Sequence, residues 1–343
     1  MNQITLKVKE VVQETSDTVT IKLKQPLFKK VQYQSGQFLT VISEVQGQKL
    51  RRSYSMSSAP HLDATIDITV KRIPDGKVSN HLNNSIKMGD MLEVVEPMGQ
   101  FVYEPSKETE RHVVLWGAGS GITPLFSMLK SCLFFEPKSK VTLVFGNRNE
   151  ESIIFKKSLE ELKEKFQDRL EVVHVLSRPS TQWGGFSGRI DDVVAINIMN
   201  RLSLANSEHY LCGPDGMMDA VTSALKRNKI PASKIYKESF TPVSGSDHSD
   251  DVSSENILLT VDGEEHSVFV AANQTILEAA LEEGLDVPYS CQNGVCTACR
   301  AKCTSGKVEM GETSVLSEAE KNSGDILTCI SHPVGVNVKI TYE

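Results

Sequence analysis

The chain has little that a membrane-embedded or secreted protein needs. Its 343 residues contain no run of eighteen apolar side chains, so no segment reads as a membrane-spanning helix. The opening Met1-Asn2-Gln3-Ile4-Thr5-Leu6-Lys7 has no apolar core of the kind that directs secretion, which predicts a cytoplasmic protein. The seven cysteines are odd in number, and a reducing compartment suits them better than a disulfide framework. Nothing suggests nucleic-acid binding. At 39% hydrophobic and 24% charged, the composition is that of a soluble globular protein, and the length predicts two or three domains. Charge is unevenly spread: residues 257–343 hold 5 basic and 13 acidic side chains, residues 241–256 hold 4 acidic and no basic, and the first 240 hold 32 basic and 27 acidic. An acidic tail on a mildly basic body would favour transient docking, screened beyond about 8 Å at physiological salt, although solvated surface charge explains it equally well.

A second C-x2-C pair is also missing, and this decides how the remaining cysteines are read. Cys291, Cys296 and Cys299 stand as C-x4-C-x2-C, and Cys329 follows after 29 further residues. This is the ligand spacing of a plant-type [2Fe–2S] cluster. A structural zinc ribbon, the alternative, usually presents two C-x2-C pairs, and here only Cys296 and Cys299 form one. Gly294 lets the loop curl closely and aim backbone N–H groups at sulfur. Cys303 falls outside the spacing and reads as a spare buried thiol. Such a cluster takes one electron at a time, so the rest of the chain must deliver electrons singly.

Residues 1–106 alternate apolar and polar at Ile4-Leu6-Val8, Val19-Ile21-Leu23 and Ile66-Ile68-Val70, which predicts short antiparallel strands in a small barrel or sandwich. On a strand, Arg52 and Tyr54 of Arg51-Arg52-Ser53-Tyr54-Ser55 share one face, offering a phosphate partner and a flat ring, with Ser55 on the other side. Gly76-Lys77-Val78-Ser79 reads as a turn into a helix whose Ser79 hydroxyl and first N–H groups face an anion, or else as a plain N-cap. Gly36-Gln37-Phe38 opens a further strand.

Between 107 and 240 the pattern changes. The run Arg111 to Trp116, apolar through Val113-Val114-Leu115-Trp116, suits a buried parallel strand and leads into Gly117-Ala118-Gly119-Ser120-Gly121-Ile122-Thr123-Pro124. Its glycines allow close backbone approach to a pyrophosphate, and Pro124 suits the first turn of the next helix. Ile122 occupies the place of the third glycine of the common dinucleotide fingerprint. Strands at Val141–Phe145, Leu170–Leu176 and Tyr210–Cys212 alternate with helical spacing, as in Phe155-Leu159-Leu162-Phe166, which predicts a parallel sheet wound with helices. Arg148 and Arg178, with Ser177, fall just past strand ends. No acidic residue is read there to hold a free ribose hydroxyl, so NADPH is favoured over NADH.

Residues 241–256 are rich in Ser, Asp and Gly and read as a tether reaching about 20–24 Å. Beyond it, a hairpin at Leu258–Glu264, an N-capped helix from Thr275 to Glu283 and a closing strand through Val336, Val338 and Ile340 surround the cysteine loop.

The motifs Gly36-Gln37-Phe38, Arg52-x-Tyr54-Ser55, Gly76-x-x-Ser79, the glycine run ending in Thr123-Pro124 and Cys212-Gly213-Pro214 together resemble the ferredoxin–NADP⁺ reductase family, here with a C-terminal ferredoxin. The resemblance implies an antiparallel β-barrel binding flavin, an α/β parallel-sheet nucleotide domain and an α+β (β-grasp) [2Fe–2S] domain. It implies FAD, with FMN as the alternative, bound through its pyrophosphate by Arg52 and Ser79 together with Ser53, Lys77 and Val78. Tyr54 would stack on the isoalloxazine and Ser55 would lie near its reactive N5. Gly117, Gly119, Ser120, Gly121 and Thr123 would cradle NADPH, Cys212, Gly213 and Pro214 would flank the nicotinamide, and Phe240 would cover the flavin. The expected activity is NAD(P)H oxidation with single electrons passed through the cluster to a partner oxygenase or another one-electron acceptor protein. The remaining alternative, a zinc-bearing nucleotide sensor, predicts a colourless protein.

Overall fold

The computed structural model describes residues 2–204, 206–240 and 254–342. It separates into two compact units, Asn2–Phe240 and one within Thr241–Glu343. Most of the expected tether, residues 241–253, lies outside the described residues. Among those described, no helix is long and apolar enough to cross a membrane.

The alternating segments become β1 (Gln3–Thr15), β2 (Thr18–Lys24), β3 (Phe38–Val45), β4 (Gln48–Ser55), β5 (Thr65–Lys71) and, after helix α1 (Lys77–Asn84), β6 (Met91–Met98). All pair antiparallel in the order β4-β3-β6-β1-β2-β5. Met56, just past β4, bridges Ile68 of β5, so the two edge strands meet and the sheet closes into a barrel. Leu6, Ile21, Val41 and Ile68 point inward and leave little room for anything but side chains. Gly36, at φ +101°, is required by contact: a Cβ there would stand 1.9 Å from the Phe101 carbonyl oxygen.

The second half of this unit comprises β7 (His112–Ala118), α2 (Ile122–Phe135), β8 (Lys140–Asn147), α3 (Lys156–Lys165), β9 (Leu170–Leu176), β10 (Phe186–Ser187), α4 (Asp192–Leu202), β11 (Glu208–Cys212), α5 (Asp215–Arg227) and β12 (Ile235–Glu238). Every pairing is parallel, in the order β10-β9-β8-β7-β11-β12, so the winding reverses between β7 and β11. That reversal is where an open α/β sheet leaves its ligand crevice. Leu115 and Trp116 show why the run was continuously apolar: one packs with α2 and the other with α4 and α5. Phe155 does not start the helix but caps it in the left-handed region, φ 59°, because its ring is buried and stacks 4.3 Å from Phe126.

Helix α2 joins the sheet to the barrel. Its Ser127 Oγ donates to the Ser58 carbonyl at 2.6 Å, the Ser131 and Ser35 hydroxyls meet at 2.6 Å, and Lys130 pairs with Asp63. Small hydroxylated side chains allow this close approach and give the Ser58 carbonyl a partner.

The remaining unit contains β13 (Glu255–Val261), β14 (Glu264–Val270), α6 (Ile276–Glu282), β15 (Arg300–Met310), α7 (Glu318–Asn322), β16 (Asp325–Leu327) and β17 (Ser331–Thr341), in sheet order β14-β13-β17-β15-β16. β13 lies parallel to β17 and antiparallel to β14. It begins at Glu255, inside the stretch read as tether, because Glu255 and Asn256 find partners in Val270 and Phe269. Thr275 is the expected N-cap of α6, and Glu278 completes a capping box with it.

Candidate functional sites in a three-module chain

Strand alternation places Arg52 and Tyr54 on one face of β4 and the buried Arg51 and Ser55 on the other. Arg52 is exposed and close enough to act on the Tyr54 phenol electrostatically, while burial pushes that phenol's pKa up. Ser53 turns to the Thr40 hydroxyl at 3.0 Å. Next to this face, Lys77 Nζ donates to Gln48 Oε1 at 2.9 Å. The Ser79 hydroxyl is not offered to an anion: it accepts the Ile73 N–H at 3.1 Å and turns toward the Gly76 carbonyl at 3.4 Å. Gly76, not Ser79, is the N-cap, and Val78 is buried in the barrel core. What α1 presents is its first-turn N–H groups, which have no intrahelical acceptor.

The glycine run ends β7 and forms a tight turn, Gly119–Gly121, that leads into α2 and lies against β5. Gly119, at φ +54°, faces open space, as a phosphate cradle requires. Gly121 has no such room. A Cβ there would sit 2.0 Å from the Cys212 carbonyl oxygen, so the loops after β7 and β11 meet backbone to backbone at the winding reversal. Gly117 and Gly213 are similarly confined, by Leu125 and Met217. The Thr123 hydroxyl is turned inward to the Ser120 carbonyl at 3.0 Å, where it staples the turn. Cys212 is 0% exposed and burial drives its thiol pKa up, so the sulfur lies in the core and only the backbone of Cys212-Gly213-Pro214 borders the crevice. Phe240, 45% exposed, lies two residues past the end of β12.

Arg148, Ser177 and Arg178 are exposed at the carboxyl edge of the same sheet. Between them, both amide atoms of Asn147 are buried without a protein partner. An orphaned amide beside two arginines suits a polar ligand such as a nucleotide. An acidic residue also stands nearby, but the Glu150 carboxylate is taken up by the Ser180 N–H at 3.1 Å and hydroxyl at 2.6 Å, which hold its pKa low.

In the other unit, Cys291, Cys296, Cys299 and Cys329 converge. The Cys296 and Cys291 sulfurs are 3.1 Å apart, and Cys329 bonds to both Cys291 and Cys299. The Cys296 and Cys329 thiols and the backbone N–H groups of Asn293 and Val295 lower the Cys291 pKa, whereas Cys296 is pushed up by its neighbour. Four converging sulfur donors with backbone N–H groups around them fit an iron–sulfur cluster. Cys303 is half-buried rather than buried, its sulfur 3.4 Å from the Ser305 carbonyl. Sequence reading missed Asn147, Glu150 and Thr313, whose hydroxyl donates to the Gly294 carbonyl at 2.7 Å. None of the three carries a spacing signal, because each acts through tertiary neighbours.

A closed barrel with an arginine and a helix N-terminus at its edge, a parallel sheet with a glycine turn at its crevice and a four-cysteine module fit a flavin- and iron–sulfur-dependent pyridine-nucleotide oxidoreductase. Family profiles agree: residues 3–103 match the oxidoreductase FAD-binding domain, 115–223 the oxidoreductase NAD-binding domain and 259–334 the 2Fe-2S iron-sulfur cluster binding domain. One component of the 1,2-phenylacetyl-CoA epoxidase of Escherichia coli K12 is 35% identical, covering 98% of this chain and 97% of that protein. The ferredoxin reductase component of the 3-ketosteroid-9-alpha-monooxygenase of Rhodococcus rhodochrous is 37% identical over 99% and 97%. The solved phthalate dioxygenase reductase shares the fold, with a TM-score of 0.65, 22% identity and coverage of 99% and 98%. The chain belongs to the family of oxygenase reductase components, and its cofactors are FAD, a [2Fe–2S] cluster and a pyridine nucleotide.

Proposed function

We propose that this chain carries electrons from NADPH, through FAD and the cluster, to an oxygenase that epoxidises the ring of phenylacetyl-CoA, and that it works in the cytoplasm. The observation that carries the reading is the end-to-end likeness to the E. coli epoxidase component across all three modules. The Rhodococcus relative, equally complete, favours a second reading in which the acceptor is a steroid monooxygenase.

The flavin, when bound, accepts a hydride and releases electrons one at a time, which reconciles a two-electron donor with a one-electron cluster. In this proposal Arg52 and the first-turn N–H groups of Lys77, Val78 and Ser79 hold its pyrophosphate, and Tyr54 covers its ring. Ser53 anchors β4 through Thr40, and Ser55 borders the reacting edge. Gly117, Gly119, Ser120 and Gly121 receive the nucleotide phosphates on a turn stapled by Thr123. Arg148, Ser177 and Arg178 take the 2′-phosphate. The backbone of Cys212, Gly213 and Pro214 positions the nicotinamide, and Phe240 shields the flavin from water. Cys291, Cys296, Cys299 and Cys329 hold the irons.

The test is acceptor choice. The loaded protein is mixed with NADPH and with the oxygenase components of each system in turn, and product is measured. Epoxide formed from phenylacetyl-CoA supports the proposal. Turnover with the steroid oxygenase alone overturns it.

A further inference from the structure

The peptide between Gly294 and Val295 is gripped at both polar ends. Its carbonyl oxygen, on Gly294, accepts a hydrogen bond from Thr313 Oγ1 at 2.7 Å. Its N–H, on Val295, is directed at the Cys291 sulfur. The Thr313 hydroxyl also accepts the Val315 N–H at 3.2 Å, which occupies one lone pair and leaves its single proton for the Gly294 carbonyl. Segment 311–315 is itself tied down next to a cluster ligand, because the Gly311 N–H donates to the carbonyl of Ile330, the neighbour of Cys329, at 2.8 Å.

Gly294 makes this grip necessary. It sits at φ +73°, which favours glycine, and a Cβ there would come 2.8 Å from Ile330 Cδ1 and push that side-chain end aside. Glycine also leaves the adjoining peptide plane free to rotate. A half-turn of that plane would replace a donor facing sulfur with a carbonyl dipole facing it.

We infer that Thr313 is a positioning residue for the iron–sulfur centre: its hydroxyl fixes the Gly294–Val295 peptide so that the Val295 N–H points at Cys291, and in doing so raises the electron affinity of the cluster. Donors to the ligand sulfurs stabilise the more negative, reduced form, and hydrogen bonding of this kind sets cluster potentials. The inference rests on the cofactor reading above and adds a residue that touches neither iron nor substrate.

The test uses full-length holoprotein. Thr313→Val removes the hydroxyl at nearly constant shape, and Thr313→Ser keeps it. The cluster midpoint potential is read by EPR-monitored titration, with flavin-dependent ferricyanide reduction as a control that should not change. The expected result is a lower potential in Thr313→Val by about a tenfold change in the reduction equilibrium, 59 mV for a one-electron couple, with an altered EPR g-tensor, while Thr313→Ser matches wild type. An unchanged potential in Thr313→Val, or an equal shift in Thr313→Ser, overturns the inference. If Thr313→Val assembles no cluster, Thr313→Ala is compared: loss from Val and Ala with retention in Ser supports the role, and loss from all three overturns it. A wild-type protein without the [2Fe–2S] spectrum would instead refute the cofactor reading and remove this role with it.

Discussion

The backbone N–H of Arg178 donates to the carbonyl of Arg148 at 2.7 Å, so two arginines far apart in sequence occupy one edge of the nucleotide sheet. The Ser177 N–H likewise bonds the Asn147 carbonyl at 3.0 Å, which extends the β8–β9 pairing past the strand ends. Two exposed guanidinium groups are thereby presented together by a rigid backbone.

If that edge reads the 2′-phosphate, Arg148→Ala or Arg178→Ala should raise the KM for NADPH about tenfold while changing the KM for NADH little, since an exposed charge-assisted contact lies near the low end of about 1.5–3 kcal/mol. Steady-state kinetics with both nucleotides provides the check. An unchanged NADPH to NADH ratio in both variants would remove the arginines from the site.

Cys296→Ser should abolish delivery to one-electron protein acceptors while ferricyanide reduction by the flavin survives. Both rates are measured on the same flavin-loaded sample. Equal loss of both would mean that electrons do not leave by way of the cysteine module.

Gly121→Ala should cost stability even without nucleotide bound, because the new methyl collides with the Cys212 carbonyl, which is backbone and cannot swing away. Overpacking of this kind costs about 1–3 kcal/mol, a fall in Tm of roughly 5 °C for a unit of this size. Calorimetry with and without NADPH would separate lost stability from lost affinity. A variant as stable as wild type would show that the two loops can part.

A buried histidine predicts the acid response. Trp116 Nε1 donates to His209 Nδ1 at 3.1 Å, so the ring must keep that lone pair, and burial lowers its pKa to about 4. An unfolded histidine titrates near 6.5, so the stabilisation is complete above that pH and is lost as pH falls toward 4, by about 2 kcal/mol at pH 5. His174, also lowered to about 4 by burial, adds in the same direction. Urea midpoints at pH 7 and pH 5 should therefore converge in His209→Gln, which keeps an acceptor for Trp116 but does not titrate. An undiminished difference between the two pH values in that variant would place the acid sensitivity elsewhere.

What could be read without coordinates was whatever short-range chemistry determines. Val113–Trp116 reads as a strand because both its faces are covered, and the Thr275 cap is a bond to a residue three positions away. The cysteine spacing belongs to the same class, since the loop is built by neighbours in sequence. Hydroxyl partners are not of this kind. Thr313 meets the Gly294 carbonyl, and Ser127 the Ser58 carbonyl, only because packing brings distant segments together, while Ser79 and Thr123 turn to near neighbours that compete with a ligand for the same hydroxyl. The depth of Cys212 was hidden for the same reason: whether a strand-end thiol faces outward depends on which loop closes over it.

The seal of Gly121 against Cys212 bears on how the molecule would age. Cys132 and Cys212 are wholly buried in the first unit, and burial raises both thiol pKa values, which leaves almost no thiolate for an oxidant to attack. Chemical damage should therefore collect in the cysteine module and spare the body. The injured protein would keep drawing on the cell's reductant with its outlet shut, a costlier failure than simple inactivity.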